Sequence, residues 1–224
     1  MPKYKLKYVF ENRQKMKKLI LFSAAAAMVV ASCVSNPEGK KAETADSVET
    51  VEQVAGTAYT VDTAQSELVW TGAKVSGQHH GTVDIKSGQL IVDNGAITGG
   101  NFVLDMNTIN TQDLEGEWKE KLDGHLKADD FFDVANHPEA SFEITSVNAG
   151  ATEGTVVVSG NLTIRGVSKN ITFDATVAEL TEQSVKATAD FNIAREDWGV
   201  NYAGQQDDLI SKEINFKVTL VANK

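Results

Sequence analysis

Residues 185–193 read Val185-Lys186-Ala187-Thr188-Ala189-Asp190-Phe191-Asn192-Ile193, and residues 214–220 read Ile214-Asn215-Phe216-Lys217-Val218-Thr219-Leu220. Apolar and polar side chains alternate without a fault in both, as they do in Ile171-Thr172-Phe173-Asp174-Ala175-Thr176-Val177. Strict period two gives a strand one dry face and one wet face, the mark of antiparallel sheet. Outward from these runs, Leu68–Val75, Thr82–Lys86, Gln89–Val92, Ile97–Ile109, Ser141–Val147 and Thr155–Ile164 follow the same rule less cleanly. Ser87-Gly88, Asp93-Asn94-Gly95, Asn148-Ala149-Gly150 and Arg165-Gly166 are the expected turns between them. The count comes to about nine strands.

One stretch departs from period two. Asp113–Lys127 places Leu114, Trp118, Leu122 and Leu126 at every fourth position with charges between them, which predicts one amphipathic helix. A lone helix among antiparallel strands suits a lid or plug on a barrel. Long alternating runs joined by short turns favour an up-and-down barrel, which has no edge strands to protect. A barrel of about eight strands has room for one small ligand. The expected class is therefore all-β, an antiparallel barrel of about eight strands with one amphipathic helix.

The chain has 224 residues, enough for one domain with accessories. It carries 21 Lys and Arg against 31 Asp and Glu, a formal net charge of −10. Seven of the basic residues and only Glu11 among the acids precede residue 34, so the remainder is far more acidic than the whole. Such a body repels phosphate backbones, and nucleic acid is not an expected partner. The single cysteine, Cys33, allows no internal disulfide and no Cys-based zinc site.

The Met16-Lys17-Lys18 start, the apolar run Leu19–Val30 and the close Val30-Ala31-Ser32-Cys33 have the form of a secretory signal. The apolar run is shorter than the roughly 20 residues of a comfortable membrane span. Its end resembles the lipobox of bacterial lipoproteins, in which the cysteine is acylated and anchors the mature chain. Residues 1–33 are thus expected to be a signal peptide, best read from Met16, with lipidation at Cys33. Residues 34–56 are rich in Ser, Glu, Lys, Ala and Thr and read as a flexible tether. Residues 57–224 form the expected barrel domain.

Four segments, in order, resemble the YceI family of secreted lipid-binding proteins. They are Gly77-Gln78-His79-His80-Gly81-Thr82-Val83, Leu126–Val134 with Pro138 and Phe142 behind it, Gly160–Val167, and Arg195-Glu196-Asp197-Trp198-Gly199-Val200. The resemblance spans Tyr59–Ala222. It implies a lipocalin-like barrel whose apolar lumen holds a polyisoprenoid or similar long-chain amphiphile, and it implies that copies pair as homodimers. Trp198 stands where members of the family often carry Phe. A lipid anchor also departs from the free periplasmic form common in the family.

The inward-facing set predicted to line a lipid-binding lumen is Trp70, Val83, Ile85, Phe102, Leu104, Phe142, Ile144, Val158, Leu162, Ile164, Phe173, Val177, Ala187, Phe191, Phe216 and Val218. Small residues such as Ala175, Ala187 and Ala189 would leave space at the centre. Phe131, Phe132, Arg195 and Trp198 are candidates for the mouth or a headgroup contact. Adjacent strand residues point oppositely, so one of Phe131 and Phe132 at most would face the lumen. The competing reading for Arg195, and for Arg165, is pairing with a nearby carboxylate. His79 and His80 diverge for the same reason as the two phenylalanines and make no two-ligand metal site. No nucleophile elbow or phosphate loop is present.

The expected function is that of an envelope lipoprotein, in the periplasm or at the cell surface, which binds a long-chain lipid for transport, storage or sequestration. It is expected to need no cofactor beyond that lipid and to be no enzyme. The alternatives are a structural or stress-response envelope protein with a filled core, and an enzyme acting on such a lipid.

Overall fold

A computed structural model describes residues 34–49 and 55–224. The expected signal and Cys33 lie outside the described residues, as do residues 50–54 of the expected tether.

The strands, in chain order, are β1 (Lys40–Lys41), β2 (Glu43–Asp46), β3 (Thr57–Val61), β4 (Glu67–Lys74), β5 (Gly77–Asp93) and β6 (Ala96–Thr111). Helix α1 (Gly116–Lys127) follows, then β7 (Glu139–Ala149), β8 (Thr155–Ile164), β9 (Val167–Leu180) and β10 (Ser184–Ala194). A 3₁₀ turn (Arg195–Trp198), β11 (Gly204–Gln205) and β12 (Asp208–Asn223) complete the chain. From β5 to β10 each strand pairs antiparallel with the next, and β10 pairs with β12. β3 and β4 share one position in the wall, both lying between β12 and β5 and so closing the ring. The result is a closed antiparallel barrel of eight staves with one helix, as the alternation predicts.

Several local expectations are corrected. Ser87-Gly88 is no turn: β5 continues through it, with a register shift against β6 between Ile85 and Ser87. A glycine within a strand often marks such a bulge rather than a chain reversal. The tether expected over residues 34–56 is also revised. Lys40–Lys41 pairs parallel with Phe191–Asn192, and Glu43–Asp46 pairs antiparallel with Lys169–Thr172. Polar composition misleads here because strands that add to a sheet are held by main-chain hydrogen bonds and need little apolar surface of their own.

The helix is twelve residues long and leaves Leu114 outside it. Leu126 is buried and Leu122 packs against the core, whereas Trp118 is 70% exposed. A four-residue spacing drifts by about 40° per step on a helix of 3.6 residues per turn. The stripe therefore winds off the docking face, and Trp118 meets solvent beside Lys121, whose ammonium lies 5.0 Å from its ring.

Asp123 docks α1. Its Oδ1 accepts hydrogen bonds from the Thr111 amide (2.8 Å) and hydroxyl (2.7 Å) at the end of β6, and its Oδ2 accepts one from Lys119 Nζ (3.1 Å). Burial acts to raise its pKa, but these donors outweigh it and hold the carboxyl below the ordinary value. A depressed carboxyl stabilises the fold above its unfolded pKa, about 3.9, and loses that contribution as pH falls through the folded value. The docking of α1 is therefore expected to weaken as the pH drops below about 4. Asp123→Ala should lower stability at pH 7 by about 1–3 kcal/mol and flatten the acid limb of a urea-denaturation series. An unchanged acid limb in the variant would remove Asp123 from this role.

Candidate functional site

The alternating strands bring their apolar faces to a common interior in which two buried clusters meet. One, at the α1 end, includes Trp70, Leu126, Phe131, Leu162, Ile171, Phe191 and Trp198. The other, at the far end, includes Tyr59, Ile85, Leu90, Ile144, Val158, Val185 and Leu220. Leu104, Phe142 and Phe173 pack against both.

The interior is hollow. It encloses about 210 Å³ open to the centres of water-sized molecules. A single buried water needs only about 10–15 Å³ by this measure. The burial pattern agrees. Phe173, Ala175, Val177, Ala187, Ala189, Phe216 and Val218 all line the cavity, yet none is fully buried. In a solid core the same alternation would bury them completely, so the filled-core alternative fails on geometry.

All sixteen residues of the expected lumen set line this cavity. Sequence reading missed others on its wall, among them Leu68, Leu90, Met106, Ile109, Ala140, Ile171, Ile210, Ile214 and Leu220. Ile171 and Ile214 continue the period-two phase already quoted and were legible from it. Met106 and Ile109 straddle irregular pairing late in β6, where counting by twos loses phase.

A belt of aromatic rings circles the cavity. Phe102 on β6 lies 6.4 Å from Phe142 on β7, and Phe142 lies 5.7 Å from Phe173 on β9. Phe173 stacks on Phe191 of β10 at 4.1 Å, and Phe191 meets Phe216 of β12 edge-on at 6.0 Å. Phe216 is the register partner of Trp70 on β4. The belt passes over glycines. A Cβ on Gly160 of β8 would stand 2.5 Å from Phe142 Cε2, one on Gly88 of β5 would stand 2.7 Å from Phe102 Cδ1, and one on Gly81 would stand 2.6 Å from Trp70 Cζ2. Each ring thus lies against bare backbone and forms part of the wall. With a side chain beneath it, the ring would be driven toward the centre.

The mouth residues differ from expectation. Phe131 and Phe132 both line the cavity, with ring centroids 5.0 Å apart and nearly perpendicular planes. The strand argument fails because residues 129–132 form turns rather than strand. Trp198 is fully buried and off the cavity wall. Its indole N–H donates to the Leu162 carbonyl at 2.9 Å, so it fastens the 3₁₀ turn to β8 and contacts no mouth.

Arg195 is 2% exposed and lines the cavity. Its Nε donates to the Ser211 carbonyl (2.9 Å) and its Nη1 to the Val200 carbonyl (2.6 Å), and its guanidinium carbon lies 5.8 Å from the Phe131 ring centre. Burial pulls its pKa below the usual arginine value. The expected carboxylate partner is engaged elsewhere, since Glu196 pairs with Lys212 at 3.0 Å. Arg165 likewise serves backbone: Nη1 donates to the carbonyls of Phe131 (3.0 Å) and Gly199 (3.2 Å). The two arginines clasp the Phe131 segment and the 195–200 turn together. His79 pairs with Asp113 at 2.8 Å. Trp70 Nε1, on a residue of the cavity wall, is buried without a hydrogen-bond partner among the described residues.

Comparisons with known proteins fit this geometry. The family model described as the YceI-like domain matches residues 59–222. A UPF0312 protein of Pseudomonas putida strain W619 is 34% identical over 97 residues, which cover 43% of this chain and 48% of the relative. A UPF0312 protein of Pseudomonas aeruginosa PAO1 is 40% identical over 68 residues, 30% of this chain and 34% of the relative. The chain spans about half, or less, of the length of these curated relatives. The crystal structure of Burkholderia cenocepacia BcnA superposes with a TM-score of 0.61 at 20% identity, covering 72% of this chain and 99% of that one. A polyisoprenoid binding domain from Saccharophagus degradans superposes with a TM-score of 0.55 at 17% identity, covering 74% and 97%. Both share the barrel fold with this chain. With matched sequence over nearly the whole barrel and the same architecture beneath it, the chain belongs to the YceI-like domain family.

Proposed function

We propose that this protein is a carrier for a long-chain amphiphilic lipid of the isoprenoid class, held in the barrel lumen. The observation that carries the reading is the cavity, hollow and walled almost entirely by hydrocarbon. An isoprenoid tail offers no hydrogen bonds and gains about 0.8 kcal/mol per buried CH₂. Association costs about 4–15 kcal/mol in lost freedom. A chain must therefore bury on the order of ten or more carbons to bind well, which selects long tails over short ones. The polyisoprenoid binding domain named above has the same fold, and the family assignment supports the same class of ligand.

Arg195 is the headgroup contact in this reading. The Arg195 guanidinium is held by two carbonyls on the cavity wall and makes no direct ion pair among the described residues, with Glu196 acting on it only at a distance, and a buried charge without a direct partner is costly. An acidic or strongly hydrogen-bonding headgroup would supply one. Phe131 and Phe132 form the rim at the α1 end. The envelope setting and the acyl anchor at Cys33 complete the proposal: an anchored barrel stays near its lipid source, and its acidic surface keeps it off anionic headgroups. Binding rather than catalysis is favoured because the lumen, among the described residues, carries a single carboxylate, Glu213, and no pair for acid–base work.

Purified full-length protein should release a long-chain lipid into organic solvent, detected by mass spectrometry. Ala187→Trp, which fills the lumen from β10, should weaken uptake of a fluorescent farnesyl probe by at least tenfold. No lipid in the extract together with no probe uptake by the unaltered chain would defeat the carrier reading. Gly160→Ala should push Phe142 inward, reduce probe capacity and cost about 1–3 kcal/mol of stability by overpacking. Phe142→Leu in the same chain should restore part of both losses, and full additivity of the two substitutions would show that the ring and the glycine are unrelated.

A further inference from the structure

The wall of the barrel is not made by the family domain alone. β9 and β10 pair from Leu180/Val185 down to Ala175/Ala189 and then part. Beyond that point Lys169–Thr172 face β2, while Phe191 and Asn192 face β1. A segment that precedes the matched residues 59–222 is thus inserted into a fork in the wall. Ala42 sits at its centre. Its amide donates to the Asn192 carbonyl at 2.8 Å, and it is buried in the same apolar cluster as Ile171, Phe191 and Ile193. Without this segment, the main chain on both sides of the fork would be open edge.

The attachment is weak for a piece of wall. Two strands of two and four residues hold it, whereas β10 and β12 are matched over eleven register pairs. Its ion pairs, Lys40–Asp174, Lys41–Glu213 and Asp46–Lys169, all involve solvent-exposed side chains and contribute little. Thr44 Oγ1 is buried with no hydrogen-bond partner among the described residues, a cost that release would relieve. Side-chain latches hold the ends. Asn192 Nδ2 donates to the Pro37 carbonyl at 3.0 Å, Ser211 Oγ meets Asn36 Oδ1 at 2.8 Å, and Asn161 exchanges hydrogen bonds with the Val48 backbone. Gly39 crosses Asn192 and Asn215 with φ +135° and leaves no room for a Cβ. By contrast, the α1 end is lined by Phe131 and Phe132 and tied by the two arginine clasps.

We propose that residues 36–48 are a detachable stave, and that its release opens a lateral slit beside Phe173 and Phe191 through which a long apolar chain enters the lumen sideways. The proposal rests on the carrier reading for the identity of the cargo. The slit itself rests on the fork. A tail too long to thread past the clasped mouth would enter along its length. The segment begins three residues after Cys33, so a pull on the chain at that point acts directly on the seal.

The test is a disulfide across the seam. Asp46 and Lys169 are register partners, and antiparallel partners stand about 4.5–5.5 Å apart at Cα, within reach of a disulfide. The full chain carrying Cys33→Ser, Asp46→Cys and Lys169→Cys is compared oxidised and reduced, with stopped-flow uptake of a dansyl-labelled farnesyl probe as the readout. Oxidation should slow both uptake and release at least tenfold and leave the affinity unchanged, and reduction should restore both rates. A smaller slowing overturns the lateral route. Should no probe bind in either state, the carrier reading fails, and hydrogen exchange then decides the stave by itself. The Ala42 amide, which donates across the seam, should exchange at least tenfold faster than the amides bonded between β10 and β12, and oxidation should slow it. Equal protection on both sides of β10 would show that the segment never leaves.

Discussion

A ring laid on a glycine is the contact that keeps this barrel open. Aromatic side chains are the bulkiest apolar groups available, and seven phenylalanines and a tryptophan line one interior, five of the phenylalanines and the tryptophan forming the belt. In an ordinary core they would interdigitate and fill it. Here Gly81, Gly88 and Gly160 remove the Cβ beneath Trp70, Phe102 and Phe142, so three of the rings turn flat against the wall. Stacking between neighbouring rings then holds that orientation from strand to strand. Small residues at Ala175, Ala187 and Ala189 keep the opposing wall thin. The hollow is therefore a product of where side chains are missing as much as of where they are apolar.

The polar groups around the cavity follow from the same economy. Arg165 gives hydrogen bonds to the carbonyls of Phe131 and Gly199, and Arg195 to those of Val200 and of Ser211 on β12; Phe131, Gly199 and Val200 lie in irregular segments. Such segments have no ladder to satisfy their carbonyls, and a planar guanidinium bridges two of them at once. Trp198 adds an indole donor to the Leu162 carbonyl. The end of the barrel near α1 is thus organised by side chain to backbone bonding, while the opposite end is held by apolar packing of Tyr59, Val61, Val185 and Leu180.

Much of this was legible in the sequence because period two is hard to counterfeit. The runs at 171–177, 185–193 and 214–220 gave the strands, their inward faces and the cavity lining together. What escaped did so for definable reasons. Ser87-Gly88 looked like a reversal because glycine marks bulges and turns alike. Phe131-Phe132 was read by strand geometry where the backbone turns. Leu114 and Trp118 matched a helical spacing that drifts off the docking face. Residues 36–48 looked structureless because their place in the wall depends on main-chain pairing with residues far along the chain, and composition carries no trace of that. The glycines beneath the rings were visible as letters, but their meaning needs the register that pairs Trp70 with Gly81 and Phe102 with Gly88.

The latch between Pro37 and Asn192 joins positions 155 apart in the chain. Contacts that distant are slow to form, since the entropy of closing so large a loop must be met before any contact rewards it. During synthesis the N-terminal strand emerges first, yet its docking edges on β9 and β10 are made nearly last. Docking of residues 36–48 needs β9 and β10 already in place, so this side of the wall is expected to be the last to close.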